Sequence, residues 1–184
     1  MATFIALLRA VNVGGTGNFS MAELRKLLEG LGYGRVETYI QSGNAVFDGK
    51  GTAAKVSRDL CAVLQQHMGA PVDVMVRTPE DLDRVISGNP FPAEAAADGA
   101  RVHVGFLDRL APETAQAGLQ RIVDQYPKRR DRFHLSGDTL YLHLPDGAAD
   151  TKFTGKALEK ALGCASTARN WNTVLKLREM AARK

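Results

Sequence analysis

The sequence predicts an α+β protein made of two tandem ferredoxin-like (βαββαβ) sandwiches followed by a C-terminal helix. Three observations carry that expectation. Stretches with strand-like and helix-like periodicity recur in the order βαββαβ in each half of the 184 residues. Each half also holds one tight hairpin signal, Ser42-Gly43-Asn44 and Ser136-Gly137-Asp138. A hairpin makes the second and third strands antiparallel, whereas the strand–helix–strand unit before it needs a longer crossover, which is the split-βαβ arrangement.

The elements follow in order. Residues 3–11 (TFIALLRAV) are a short apolar run closed by Asn12-Val13-Gly14-Gly15, which suits a buried strand and a glycine loop. Ser20 with Glu23 forms a capping box, so a helix starts there and ends near Gly30 or Gly32. From Arg35 to Gln41 the residues alternate, with Val36, Thr38 and Ile40 on one face and Glu37, Tyr39 and Gln41 on the other, before the hairpin returns through Ala45-Val46-Phe47. Residues 53–68 are helical through Val56, Leu60, Val63 and Leu64, and Val72, Val74 and Val76 alternate as a strand. Thr78-Pro79-Glu80 caps a further helix that stops before Asn89-Pro90-Phe91-Pro92, and the alanine-rich stretch to Gly99 reads as a linker.

The second half repeats the order, with a strand at 101–107, a helix at 112–124, a hairpin over 133–144, a helix at 154–162 and a strand at 165–169. Trp171, Val174, Leu175 and Leu177 then form an apolar stripe on a last helix. The expected organisation is a first unit over 1–78, a connecting helix and linker over 79–99, and a second unit with its C-terminal helix over 100–184. No residue-level repeat links the two units.

Composition narrows the class. With 45% apolar and 24% charged residues the chain is in the globular range. No apolar run reaches the roughly 18 residues that span a bilayer, and the opening MATFIALLRAVNV lacks a basic region and a small-residue cleavage site. No membrane partner is expected. Cys61 and Cys164 lie far apart and outside any C-x-x-C pair, which fits a reducing, cytoplasmic compartment. The net charge of +4 sits entirely in the second half, where 15 basic residues face 11 acidic ones, against 9 and 9 in residues 1–92. That excess is compatible with nucleic acid and equally with simple solubility.

Three stretches, Arg9–Leu28 (RAVNVGG followed by MAELRKLL), Thr38–Phe47 (TYIQSGNAVF) and Thr167–Leu177 (TARNWNTVLKL), together with Asn89–Phe91 and Leu140–Gly147, resemble the bacterial domain-of-unknown-function family numbered 1697. The resemblance runs over nearly the whole chain and implies a two-unit α+β fold, with no activity attached. The chain departs from the family pattern at Ala10, where the family often has glycine, and at Thr16-Gly17-Asn18, which replaces a loop that is commonly basic.

Candidate binding residues fall on the same stretches. The loop holding Asn12, Gly14 and Gly15 joins a strand to a helix N-terminus, where backbone N–H groups and the helix dipole favour a phosphate or carboxylate, with Arg9 adding charge. The same glycines also suit a plain chain reversal. GTGNFS is neither a P-loop nor a dinucleotide fingerprint. Tyr39, Gln41 and Arg77 are expected on an open, polar sheet face beside Ser42 and Asn44, offered to a ligand or to a partner domain. Arg169, Asn170, Trp171 and Asn172 set two amides around the only tryptophan. They read either as a cleft for a planar polar ligand or as a helix cap with an aromatic anchor.

Other chemistries find less. His103, His143 and Tyr141 are expected to share a sheet face, but two imidazoles without a third ligand do not make a metal site, and one aromatic is a poor base-stacking platform. Lys128-Arg129-Arg130-Asp131-Arg132 is a basic loop able to touch phosphates or simply to be solvated. Cys61 sits among apolar helix residues and reads as core, Cys164 has no histidine near it in sequence, and there is no G-x-S-x-G elbow. No metal or cofactor is expected. The leading expectation is a noncatalytic binding protein for an anionic or nucleobase-bearing ligand. The alternatives are an enzyme acting on a small phosphorylated or carboxylated substrate, for which no general base stands out, and a structural or protein-interaction module.

Overall fold

A computed structural model describes residues 1–12 and 19–183. Among them eight strands and seven helices follow as β1 (Ala2–Leu8), α1 (Met21–Gly30), β2 (Gly34–Tyr39), β3 (Asn44–Gly49), α2 (Ala53–Met68), β4 (Val74–Arg77), α3 (Pro79–Ser87), α4 (Pro92–Ala97), β5 (Val102–Leu107), α5 (Thr114–Gln125), β6 (Arg132–Ser136), β7 (Thr139–His143), α6 (Gly155–Leu162), β8 (Ser166–Asn170) and α7 (Trp171–Ala182). The fold is mixed α+β with two four-stranded antiparallel sheets.

The chain divides into two units. Unit 1 holds Met1–Arg84 and the residues from Lys176 on, and unit 2 holds Val85–Leu175. The division therefore falls inside α3 and again inside α7, whereas the sequence reading puts the connection at 79–99 and keeps the last helix with residues 100–184. The stretch read as a linker before Gly99 forms α4, because Pro92 at the helix start and the alanines behind it favour helix over loop.

In unit 1 the strand order is β2-β3-β1-β4. Pairing of Phe4 with Phe47, and of Ala6 with Ala45 and Val76, sets one row of side chains against α1 and α2, where Leu24, Leu28, Val56, Leu60 and Leu64 complete a core. Ser20 and Glu23 cap α1 reciprocally, with Ser20 Oγ accepting from Glu23 N at 3.1 Å and Glu23 Oε2 accepting from Ser20 N at 2.8 Å. The opposite face carries Tyr39 and Asn44 in register with Leu7 and Met75, and Glu37 with Val46, Ile5 and Arg77. Its centre is not the open polar surface that the alternation suggests, since Ile5, Leu7, Val46 and Met75 are all 2% exposed or less. The unbroken apolar run of β1 is the reason, as a strand buried on both faces needs apolar residues at every position.

In unit 2 the order is β6-β7-β5-β8. Leu107, Leu140 and Leu142 face α5 and α6, whose Leu119, Leu158 and Leu162 close the second core. His103 pairs with Leu142, whereas His143 pairs with Val102. The two histidines therefore point to opposite faces and cannot share a site, correcting the expectation above. They lie one residue out of phase across the β5–β7 ladder, and a pleat alternates its side chains.

Candidate functional site

The corner of unit 1 where β1, the β2–β3 turn and the entry to α1 meet holds six of the expected residues. Leu8 N donates to Gly43 O at 2.8 Å and Arg9 N to Asp73 O at 2.9 Å, so the end of β1 is fastened on both sides. Arg9 Nη1 also reaches Asp73 Oδ2 at 3.0 Å. The Asn12 amide ties three strands of chain together, as its Oδ1 accepts from Phe19 N at 3.0 Å while its Nδ2 donates to Phe19 O at 2.6 Å and Gln41 O at 3.0 Å. Asn44, fully buried, donates through Nδ2 to Tyr39 O at 3.0 Å and Ser42 Oγ at 2.9 Å. Both asparagines thus shape the turn with most of their hydrogen-bonding capacity. Gly14 and Gly15, and with them the proposed anion loop, lie outside the described residues.

The backbone at this corner is strained. Ala10, Asn12 and Ile40 have φ of 53°, 57° and 48°, a region that costs non-glycine residues about 1–3 kcal/mol. Asn12 recovers that cost through its amide contacts. Ile40 has a β-branched side chain that is 50% exposed, so packing offsets little of it. Gly43, at φ 77°, lies so close to Val11 and Leu8 that a Cβ would stand 2.5 Å from Val11 Cγ2. The Ser-Gly-Asn turn therefore needs its glycine for space as well as for conformation. Gln41 is exposed, and Tyr39 and Ser42 are partly so.

The four remaining expected residues belong to unit 2. Arg169 is buried, with Nη1 donating to Thr167 Oγ1 and to Ala168 O, each at 2.8 Å. Its burial pushes the guanidinium down to about 10, which leaves it charged at neutral pH. Asn170 Oδ1 accepts from Thr173 N at 2.9 Å and so caps α7. Trp171 is buried, its backbone N donating to Gly99 O at 3.1 Å. The exposed Asn172 lays its amide over Gly99, leaving no room there for a Cβ.

Tyr141 offers no stacking platform, since it is 3% exposed and its hydroxyl donates to Val85 O at 2.9 Å. Arg132 of the basic loop is held by Glu94 and His143 Nδ1 and lies over the Phe91 ring. Burial raises the Cys164 thiol, keeping it protonated, and no disulfide forms. Among the described residues no group of three or more His, Cys, Asp and Glu could hold a metal. No helix among them is long and apolar enough to cross a membrane.

A family model described as "Protein of unknown function (DUF1697)" matches residues 1–141. The chain belongs to the DUF1697 family. The matched span of this DUF1697 protein takes in the Arg9–Leu28 and Thr38–Phe47 stretches and ends before Thr167–Leu177. No curated protein matches it. Among solved structures it is similar to the conserved bacterial protein SP0830 from Streptococcus pneumoniae, at a TM-score of 0.65, 22% identity and 98% coverage of either chain. At that identity the likeness is one of fold.

Two signals for the unit 1 corner were missing from the sequence reading. The left-handed backbone at Ile40 has no sequence mark, because an isoleucine in an alternating run reads as strand. Asp73, the partner of Arg9, stands 64 residues away and is joined to it only by folding.

Proposed function

We propose that this DUF1697 protein is a noncatalytic binding protein for an anionic or nucleobase-bearing ligand, bound at the unit 1 corner by Arg9, Tyr39, Gln41 and Ser42. Asn12 and Asn44 set the backbone there, and Gly14 and Gly15 remain candidates from the sequence alone. One observation carries the reading: Ile40 is held at φ 48° with half of its side chain in water. A strained backbone that brings no burial is explained by what it presents, and it presents Tyr39 and Gln41 on either side. Arg169, Asn170, Trp171 and Asn172 remain candidates in unit 2 for the same class of ligand.

Supporting this frame, the strand order of each sheet is that of a split βαβ unit, which favours a ferredoxin-like reading of both units. Two unpaired cysteines favour a cytoplasmic location.

The test is a thermal-shift screen against nucleotides, sugar phosphates and carboxylates, with Ile40→Gly, Gln41→Ala and Arg169→Ala in parallel. A ligand at 100 times its Kd adds about 2.7 kcal/mol of stability. The reading expects Ile40→Gly to melt higher than the parent yet lose the ligand shift, with Gln41→Ala losing it too. An Ile40→Gly variant less stable than the parent makes Ile40 a fold residue and removes the argument. A shift lost only in Arg169→Ala assigns the ligand to unit 2.

A further inference from the structure

The end of α5 carries an aromatic ring with cations around it. Tyr126 closes the helix and is 42% exposed, and the turn behind it is fixed by Arg129 N donating to Tyr126 O at 2.9 Å. Lys152, from the loop before α6, sets its Nζ 5.4 Å from the Tyr126 ring centroid. Tyr126 and Arg129 line an open depression of about 470 Å³ together with Gln125, Pro127, Lys128 and Asp146. On its other side Tyr126, with Arg129 and Lys152, borders a small crevice floored by Ile122, Val123 and Phe153.

The charges here are unequal in availability. Asp146 is taken by Arg130 at 2.6 Å, and Asp131 accepts from Thr151 Oγ1 at 2.7 Å. Lys128 and Arg129 make no side-chain hydrogen bond or ion pair among the described residues, although, behind the hydrogen bond from Arg130, the Arg129 charge helps hold Asp146 below its ordinary 3.8, and Lys152 lines the crevice behind the ring with Asp131. An open depression of ligand size with an exposed aromatic ring and two cations free of any hydrogen-bonded carboxylate matches a planar base joined to phosphate. The ring stacks on the base, and the cations take the phosphate oxygens. We infer that this depression in unit 2 is a nucleoside-phosphate site, with Tyr126 as the stacking residue, Lys128 and Arg129 as the phosphate contacts, and Lys152 backing the ring from the crevice side.

A free mononucleotide and the end of a single-stranded RNA offer the same chemistry, so both serve as probes. Binding of AMP and of a fluorescent single-stranded RNA octamer to the full chain is measured against salt, with inorganic phosphate as a third probe. The inference expects Tyr126→Ala to weaken AMP or the octamer about tenfold, with Tyr126→Phe close to the parent. Arg129→Ala lowers the slope of log affinity against log salt for the octamer by about 0.7, one phosphate contact. Arg58→Ala, which removes an equal charge from the exposed face of α2, leaves both unchanged. Tighter binding of the octamer assigns the site to RNA, and tighter binding of AMP assigns it to the free nucleotide. The inference is overturned if neither probe binds at millimolar concentration, if Tyr126→Ala binds like the parent, or if inorganic phosphate binds as tightly as AMP.

Discussion

Ala10, Asn12, Arg35 and Ile40 are the non-glycine residues with left-handed backbone among those described, and they reach it on different terms. Asn12 tolerates the region and fills its amide with partners, whereas Arg35 sits at the irregularity between Gly34 and Glu37 where β2 slips against β3. Ala10 is exposed and has no side chain beyond Cβ to offset its left-handed backbone. Ala10→Gly should therefore stabilise unit 1 by about 0.5–1 kcal/mol, as relief of strain outweighs the added chain entropy, and the rise in urea midpoint measures it. Gly43→Ala should do the reverse, with a loss of about 2 kcal/mol or more, because it meets Val11 and Leu8 in a conformation alanine resists. At this scale the sequence marks which residues are unusual without saying why. Asn12 and Asn44 attract notice as ligand readers, yet most of their contacts are to backbone atoms that only the folded chain brings near.

Helix boundaries are the most legible elements, because caps are local chemistry. Ser20, Thr52 and Thr154 each accept from a backbone N–H in the first turn, and Thr78 pairs reciprocally with Asp81. Helix contact is less legible. Gly118 in the middle of α5 looks like a weak spot for the helix, but its Cα faces the backbone of α6, and a Cβ would stand 2.7 Å from Ala161 O. Gly118→Ala gains about 1 kcal/mol of helix propensity and should still lower the melting temperature, since neither backbone can yield. Arg35 holds a second contact that no periodicity reveals. Its guanidinium grips Asp48 through two bonds of 2.9 Å and donates to Met180 O at 3.3 Å, fastening the end of α7 within unit 1. Arg35→Ala should cost about 1–3 kcal/mol and raise hydrogen exchange at the end of α7 before the rest of the unit.

Across the whole molecule, the shifted groups that titrate below neutral pH push stability in one direction. Burial lowers His103 below its ordinary 6.5, so the unfolded chain takes up that proton first and stability falls as pH drops from about 6.5. The hydrogen bonds from Arg35 hold Asp48 below its ordinary 3.8, so its contribution is complete above that value and is lost as pH falls through the folded pKa. Melting temperature measured against pH should decline in two steps. His103→Leu should shrink the upper step, to which His143 also contributes, and Asp48→Asn should shrink the lower, which Glu23, Asp83, Glu94, Asp146 and Glu179 share. Local patterns specified the α+β class, the repeated order of elements, the hairpins and the caps at Ser20 and Thr78, because each depends on neighbours a few residues apart. Folding had to settle that the sheet face beside Tyr39 is buried, that the two histidines point apart, that α7 is divided between the units, and that Tyr126 meets Lys152. Those outcomes depend on strand register and on pairs tens of residues apart, which no local pattern encodes.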